Sequence, residues 1–299
     1  MPKSPPRRRW IVVIAVLAVY GVLLLASRVV ESRRAGRPVT RPAVLVPEFR
    51  GAEEVPGGRQ VRVTYLEWEA LSQLPPHGLL PSDIALLFER TRSVSEGEDR
   101  PAVLLLHGSP GDAGNFASGT FAGVRFEGLG DRLSARGYRV IAPDLPGFGQ
   151  SEKWVADYSI RAHAAYCVAL LDQLGIGRVH VVGWSMGGGV ALEMADRQPE
   201  RIASVTLMAS IGTQESEGSG SFAFERFKYA VGYAALVVGV DLVPHFGLLP
   251  ERWFRHASMR NFLDTDMRPL RRILEETSVP LLVLHGRNDV LAGVRGAEE

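Results

Sequence analysis

The sequence Gly183-Trp184-Ser185-Met186-Gly187 places a serine in a short turn between two segments of regular structure. Residues 178–182, which precede it, are typical of a buried strand, and residues 188–197, which follow it, are typical of a helix. Glycines on both sides suit a turn whose backbone leaves no room for side chains. Such a turn lifts the serine hydroxyl off the sheet and directs a helix N-terminus towards developing negative charge. The pattern therefore predicts that Ser185 is a nucleophile for acyl transfer.

Strands and helices alternate on both sides of this turn. The predicted strands are residues 61–66, 83–90, 103–106, 138–142, 179–182, 202–208 and 279–284, and the predicted helices are residues 126–136, 160–174 and 188–197. Gly137 follows the first of these helices as a cap residue. This alternation predicts right-handed crossovers and a mostly parallel sheet, which is an α/β fold.

The composition argues against several classes of function. The chain has 299 residues, of which 46% are hydrophobic and 22% are charged, as in an ordinary globular protein. A net charge of +1, without a patch of interleaved basic and aromatic residues, argues against nucleic acid as a partner. The single cysteine, Cys167, excludes an internal disulfide and is predicted to lie in the core. The sequence contains no ligand cluster, so neither a metal nor an organic cofactor is expected.

An uncharged apolar segment, residues 10–26, lies near the N-terminus between Arg7-Arg8-Arg9 and Arg28. In a helix its 17 residues span about 26 Å, slightly less than the roughly 30 Å hydrocarbon core, and snorkelling arginines can close the difference. We expect residues 1–28 to form an uncleaved, single-pass membrane anchor, with a cleaved signal peptide as the alternative. Basic residues on the two sides are nearly equal in number, and an extracytoplasmic domain is slightly favoured.

The remaining chain divides into a linker and one domain. Four prolines interrupt residues 29–58, which therefore predict a linker, and the domain is expected over residues 59–299, with regular structure from Gln60. Within the domain, residues 211–276 form a long insertion that begins with a polar stretch, residues 212–221, predicted to be a solvated loop. The aromatic residues that follow predict a helical cap over Ser185 and a largely apolar pocket. The alternative is that these aromatic side chains only pack the cap against the core.

Two further motifs follow predicted strands. His107-Gly108-Ser109-Pro110-Gly111 ends the strand at 103–106, and residues 143–151, which begin Pro-Asp-Leu-Pro-Gly, end the strand at 138–142. Together with the serine turn, these motifs make residues 60–293 resemble the α/β-hydrolase superfamily, in particular its serine esterases and lipases. The resemblance implies the fold of that superfamily, with a helical cap.

The resemblance also implies roles for individual residues. Ser185 corresponds to the nucleophile, and the backbone N–H groups of Met186 and Ser109 correspond to the oxyanion hole. Asp289, which follows the last predicted strand, corresponds to the acid that orients the catalytic histidine. His107 and Asp144 are expected to be structural, since both precede the nucleophile in a fold whose catalytic order is serine, acid, histidine.

The general base of the family would lie in a loop after one more strand. Ten residues, 290–299, follow Asp289, and none of them is histidine. Our hypothesis from the sequence is a C-terminally truncated copy that lacks the final strand and helix together with the base. Among the remaining histidines, His163, His180 and His285 are expected to be packing residues. The histidines of the insertion, His245 and His256, could approach the pocket from above.

The sequence therefore predicts hydrolysis of carboxylic esters or related acyl substrates, small or lipid-derived, through an acyl-enzyme at Ser185. Carbon–carbon bond hydrolysis, peptidase and cofactor-free peroxidase activities use the same serine turn in this superfamily and stay open at this point. The alternative from another class is a binding module that keeps the hydrolase fold and its pocket but not turnover. The absence of a histidine after Asp289 favours that alternative.

Overall fold

The computed structural model describes residues 6–34, 41–69, 102–121, 124–246, 248 and 252–289. The described strands are β1 (Ala43–Pro47), β2 (Phe49–Arg50), β3 (Glu53–Glu54), β4 (Gln60–Trp68), β5 (Ala102–Leu106), β6 (Gly119–Phe121), β7 (Val124–Phe126), β8 (Arg139–Pro143), β9 (Val179–Trp184), β10 (Ile202–Met208) and β11 (Leu281–Leu284). The described α-helices are α1 (Pro6–Arg34), α2 (Leu129–Ser134), α3 (Ile160–Gln173), α4 (Met186–Arg197), α5 (Phe222–Ala235), α6 (Arg252–Asp264) and α7 (Arg268–Glu276). A π-helical turn, Leu236–Asp241, continues α5.

Seven of these strands form one sheet, in the order β1-β4-β8-β5-β9-β10-β11. The five strands from β8 to β11 in this order are parallel, whereas β1 and β4 add antiparallel pairs at one edge. Helix α3 connects β8 to β9, and α4 connects β9 to β10. This is the mostly parallel α/β sheet that the sequence predicts.

Strand β5 shows why the centre of this sheet is so apolar. All five of its residues are buried. Leu104 and Leu106 belong to the core cluster that includes residues of α3 and α4, whereas Val103 and Leu105 belong to a second cluster on the other face, which includes Leu133 of α2. A strand covered on both faces has no solvent side on which to place polar residues. The sheet therefore has a hydrophobic core on each face.

The predicted elements agree with the structure to within a few residues, with one larger difference. The helix predicted over residues 126–136 is present only at α2, because Phe126 belongs to β7, which pairs with β6 in a small hairpin. Gly137, after α2, has a φ of +86°, as expected of a residue that caps a helix. Cys167 is buried, as predicted, and burial raises the pKa of its thiol. The strand predicted over residues 83–90 lies outside the described residues.

The prediction of a linker over residues 29–58 is wrong for its second half. Strand β1 pairs with β4 from Ala43 opposite Thr64 to Pro47 opposite Gln60, so regular structure begins well before Gln60. Val46 of β1 is fully buried in the core. Proline is tolerated here because β1 is an edge strand, where one row of backbone groups needs no partner. Prolines such as Pro47 are therefore compatible with a paired strand and do not show that residues 43–47 belong to a linker.

Helix α1 contains the apolar segment that the sequence predicts to be a membrane anchor. Its residues Val13–Val30 are long and apolar enough to cross a membrane, and only 6% of that segment is buried inside the protein. A signal sequence would meet the same criteria of length and composition. The segment is therefore a candidate anchor, and the anchor itself stays a prediction.

The strand-to-helix turn supplies a test of the packing. We expect Gly183→Ala to destabilise the protein by about 2 kcal/mol or more, because an added methyl group has this cost where the neighbouring atoms cannot move aside. A methyl group on Gly183 would lie 2.3 Å from the carbonyl oxygen of Gly187, which is backbone. The measurement is thermal unfolding of the full chain in detergent.

The matched control for this measurement is Gly177→Ala. A methyl group at Gly177 would have no neighbour within 4 Å, so the variant should unfold within about 0.5 kcal/mol of the parent. Equal melting temperatures for the two variants would contradict the steric account of the turn.

Candidate active site

Ser185 lies at the junction of β9 and α4 with a φ of +53° and a ψ of −119°. Residues other than glycine rarely adopt this conformation, and it persists only where the surroundings enforce it. Here the N–H of Ser185 donates to Met208 O at 3.1 Å, and its carbonyl accepts from the N–H groups of Gly188 at 2.9 Å and Ile211 at 3.2 Å. The end of β10 and the first turn of α4 thus hold the residue on both sides. This is the sharp strand-to-helix turn that the sequence motif predicts.

Two glycines allow neighbouring backbone to approach this turn. A methyl group on Gly187 would lie 2.2 Å from Leu106 O, at the end of β5. A methyl group on Gly108, in the loop after β5, would lie 3.0 Å from Ser185 Cβ. The loop after β5 and the serine turn are therefore in direct contact, and each contributes a glycine to that contact.

A cavity of about 310 Å³ opens at this contact. Its lining includes Ser185, Met186 and Ser109, three of the four residues that the sequence predicts to be functional. The remaining wall comes largely from the insertion over residues 211–276 and includes several apolar side chains, among them Ile211, Phe222, Tyr229, Phe262 and Met267. The insertion therefore covers the serine, as predicted, and makes most of the pocket apolar.

Hydrogen-bond donors accompany the serine in this cavity. Met186 is the first residue of α4, and the first N–H groups of a helix have no partner within it. The Oγ of Ser109 and the Nε2 of Gln214 are buried, and neither has a hydrogen-bond partner among the described residues. Because an unsatisfied buried polar group is costly, these atoms suit a ligand that brings oxygen acceptors into the cavity.

Asp289 lies in a turn after β11, which its N–H closes by donating to Gly286 O at 3.1 Å. Its Oδ2 is 3.7 Å from Nε2 of His285, a side chain that is nearly buried. Asp289 is not among the described residues that line the cavity around Ser185. The structure therefore brings Ser185, Met186 and Ser109 together and places Asp289 beside His285, which the sequence predicts only to be a packing residue.

Glu217 was missed in the sequence and lies between these two groups. It lines the cavity, and its Oε1 accepts from the N–H of Gly212 at 3.0 Å. Burial raises the pKa of its carboxyl, the Gly212 N–H lowers it, and two charges of the loop after β11 act in addition, His285 lowering and Asp289 raising it. Glu217 thus connects the cavity electrostatically with the turn that carries Asp289.

The prediction that residues 212–221 form a solvated loop is wrong for Thr213 and Gln214, whereas Glu215, Gly218, Ser219 and Ser221 are exposed. Thr213 and Gln214 are 4% and 5% exposed, and both Gln214 and Glu217 contribute to the cavity. The hydrogen bond from Gly212 to Glu217 folds the segment back on itself, which buries side chains that a polar, glycine-rich composition would leave in water. No pattern in the segment distinguishes this arrangement from an exposed loop.

His107 has a structural position, as expected. The ring is fully buried, its Nε2 accepts from the N–H of Leu145 at 3.1 Å, and its Nδ1 lies 2.8 Å from Gly108 O. These contacts assign the proton to Nδ1, which donates to Gly108. Burial lowers the pKa of His107 and keeps the ring neutral. Both ring nitrogens are therefore used to fix the loops after β5 and β8.

Asp144 organises the same loops. It is fully buried and accepts from the Ala113 N–H at 2.9 Å, the Thr64 hydroxyl at 2.6 Å and the Gln150 N–H at 2.8 Å. Arg41 completes the set with an ion pair to the same carboxylate. The sequence indicates Asp144 as structural but gives no signal for Arg41, because Arg41 falls in the segment predicted as a linker.

The other histidines do not lie in the cavity lining that the structure describes. His163 and His180 are buried in the core, as expected. His256 contacts Asp241, lies 2.9 Å from the hydroxyl of Tyr233 and packs against Trp154. His245 is buried where the insertion meets α1, with its backbone N–H bonded to the Ser27 hydroxyl. The expected approach of His245 or His256 to the pocket is therefore not observed.

The fold and this constellation define an α/β-hydrolase. The family model described as "alpha/beta hydrolase fold" matches residues 101–261, which is more than half of the chain, so the chain belongs to this family. The match covers β5, the serine turn and most of the insertion, the regions that build the cavity.

Individual relatives agree with this assignment. The chain is 42% identical over 125 residues to 2-hydroxymuconate semialdehyde hydrolase of Pseudomonas putida, which covers 41% of each protein. The chain spans between about a third and two fifths of the curated relatives that it matches first. Two solved structures share the fold: a Thermogutta terrifontis esterase (TM-score 0.56, 18% identity, 86% of this chain and 84% of that one) and a bacterial membrane phospholipase A (TM-score 0.50, 22% identity, 98% and 86%).

The buried histidines predict how stability depends on pH. Burial lowers the pKa of His163 to about 3 and that of His180 to about 4. The unfolded chain takes up a proton at each histidine near the ordinary pKa of about 6.5, whereas the folded chain does so only near pH 3 to 4. The free energy of unfolding is therefore highest above about pH 6.5 and falls as the pH is lowered towards the pKa values of the folded state. Between pH 7 and pH 5, each histidine should cost the fold about 2 kcal/mol.

We therefore expect His163→Leu to reduce the fall in stability between pH 7 and pH 5 by about 2 kcal/mol and to leave the contributions of His180 and His107, measured by urea unfolding of the full chain in detergent. Tyr166→Phe is the control, because it changes a buried side chain that does not titrate in this range, and it should keep the parent's pH dependence. If the stability of His163→Leu falls as much as that of the parent between pH 7 and pH 5, buried His163 does not contribute to the acid sensitivity of the fold.

Proposed function

We propose that the protein is a serine hydrolase that cleaves carboxylic esters or related acyl substrates through an acyl-enzyme at Ser185. One observation carries the proposal: Ser185 is held at a φ of +53° at the N-terminus of α4 and lines a cavity together with Met186 and Ser109. A serine presented in this way, at a helix end whose first N–H groups have no partner within the helix, suits nucleophilic attack on a carbonyl group. The 42% identity over 125 residues to a semialdehyde hydrolase of Pseudomonas putida supports hydrolysis as the type of reaction.

In this mechanism, Ser185 gives its hydroxyl proton to a general base as Oγ forms a bond to the carbonyl carbon, and the carbonyl electron pair moves onto the carbonyl oxygen. The N–H groups of Met186 and Ser109 stabilise that oxyanion, assisted by the partial positive charge at the N-terminus of α4. The intermediate collapses with release of the alcohol, which takes up a proton, and water then hydrolyses the acyl-enzyme. Asp289 corresponds to the acid that orients the general-base imidazole in this family, whereas neither Asp289 nor a histidine is among the described lining residues of the cavity.

The cavity indicates a substrate with an apolar body and a polar carbonyl end. Its apolar wall from the insertion suits an aliphatic or aromatic acyl or alcohol group. The unpartnered Ser109 Oγ and Gln214 Nε2 suit oxygen acceptors of the reacting group. We propose in addition that α1 anchors the domain in a membrane, because the segment Val13–Val30 is apolar, long and largely unburied. With Arg7-Arg8-Arg9 on the cytoplasmic side of the segment, the domain would lie outside the cytoplasm.

A second candidate function is ligand binding without turnover. The observation that favours it is the lack of histidine among the described residues that line the cavity. Without a base a serine is a weak nucleophile, and the oxyanion hole with substrate binding alone leaves roughly 10³- to 10⁴-fold catalysis over water. The two candidates therefore differ in the reactivity of Ser185 and not in the shape of the pocket.

The decisive measurement is labelling of the purified chain with a fluorophosphonate. We expect labelling that is lost in Ser185→Ala, together with any ester hydrolysis above the uncatalysed rate. Ser118→Ala is the control, since its hydroxyl bonds Asp131 and the Gly128 N–H on the surface, and it should label like the parent. Absence of labelling in the parent would favour the binding module, whereas labelling that persists in Ser185→Ala would refute Ser185 as the nucleophile.

A further inference from the structure

The insertion carries an unusually apolar outer surface. We define its cap face as eight exposed side chains: Phe224, Phe227, Val231, Val238, Leu242, Val243, Phe246 and Leu248. Soluble proteins rarely expose so many large apolar residues side by side, and such a surface normally has a partner. We propose that the cap face rests on the lipid bilayer in which α1 is anchored. This inference builds on the proposed membrane anchor.

Helix α5 and the π-helical turn after it supply half of the cap face. Phe224, Phe227, Val231 and Val238 follow one another at helical spacing, so they form one stripe along the outer side. Phe227 is 67% exposed, more than core packing permits. The alternative that these aromatic side chains only pack the insertion against the core is therefore wrong for Phe224 and Phe227.

The opposite side of α5 faces the cavity. Phe222, Glu225 and Tyr229 all line the pocket around Ser185. One helix thus has an inner side towards the candidate active site and an outer side towards the surroundings. If the outer side lies on lipid, a single helix separates the bilayer from the cavity.

Contacts with α1 identify a bilayer as the partner of the cap face. The hydroxyl of Ser27 accepts from the backbone N–H groups of His245 at 2.9 Å and Phe246 at 2.7 Å. Arg28 bonds Asp241, and the Tyr20 hydroxyl donates to Leu242 O. Ser27 is only 1% exposed. The loop that carries half of the cap face is therefore attached directly to the candidate membrane span.

The positions of these contacts along α1 determine how deep the loop over residues 241–248 would lie in the bilayer. Tyr20 lies eight residues before Arg28, which corresponds to about 12 Å along a helix. The loop therefore covers the last part of the apolar segment Val13–Val30, not only its end. With Arg28 at the level of the headgroups, the Tyr20 contact at Leu242 would lie about 12 Å below them, somewhat deeper than the roughly 5–10 Å at which interfacial amphipathic helices lie.

Charges at the edge of the cap face agree with this orientation. Arg226 and Lys228 are exposed beside its first residues, and residues 229–240 contain no charged side chain. Arg226 also lines the cavity and Lys228 pairs with Glu225, so both lie between the inner and the outer side of α5. Basic residues at the rim of an apolar surface suit anionic headgroups. The apolar part can then lie below the headgroups, while the basic rim stays at their level.

The test uses the full chain in vesicles of phosphatidylethanolamine and phosphatidylglycerol, with an environment-sensitive fluorophore on introduced cysteines. Native Cys167 does not interfere, since it is 1% exposed and burial raises the pKa of its thiol. The cap positions are Phe227→Cys and Leu248→Cys. Val124→Cys in β7, equally exposed at 68%, is the matched control, and Leu17→Cys in α1 reports the anchor itself.

We expect lipids with a spin label on the acyl chain to reduce emission at both cap positions to about half, as for groups at the acyl boundary, and to leave Val124→Cys unchanged. Quenching at Leu17→Cys without quenching at the cap positions would overturn the proposal and leave the anchor intact. No quenching at Leu17→Cys would refute the anchor. Cross-linking of Leu248→Cys between two copies, without quenching by lipid, would overturn the proposal in favour of a protein partner.

Discussion

The close approach of three backbone segments around Ser185 is the constraint on which the rest of the site depends. Strand β9, helix α4 and the end of β5 come so near to one another that Gly183 and Gly187 cannot carry a side chain. Hydrogen bonds from the end of β10 then hold Ser185 in a conformation that it would not adopt alone. The sheet thus determines the conformation of the turn, and the turn places Ser185 at the N-terminus of α4.

Buried polar contacts fix the positions of the loops around that turn. Asp144 connects β4, the loop after β5 and the loop after β8, and His107 connects the last two again. Arg41, just before β1, pairs with the buried carboxylate. Strand β4 and the residue before β1 therefore contribute to the position of the loop that carries Ser109, although neither is among the described residues that line the cavity.

Periodicity and motifs predicted the sheet because both are local. Residues 103–106 and 202–208 are apolar runs whose burial on two faces follows from composition, and the serine turn needs glycines that are visible in the sequence. The strand β1 was missed because prolines are compatible with an edge strand as well as with a linker. Glu217 and Gln214 were missed because their burial depends on how a polar segment folds over the cavity, which no local pattern encodes. The position of Asp289 beside His285 also depends on tertiary contacts.

The hydroxyl of Ser27 has a consequence for how the protein can be prepared. Removing α1 to obtain a water-soluble domain would delete the acceptor of two backbone N–H groups, those of His245 and Phe246. The loop would then have to recruit water or rearrange, and the adjoining helix α5 forms part of the cavity wall. A truncated preparation would therefore report the properties of an altered pocket, so substrate screens are better carried out on detergent-solubilised or reconstituted full chain.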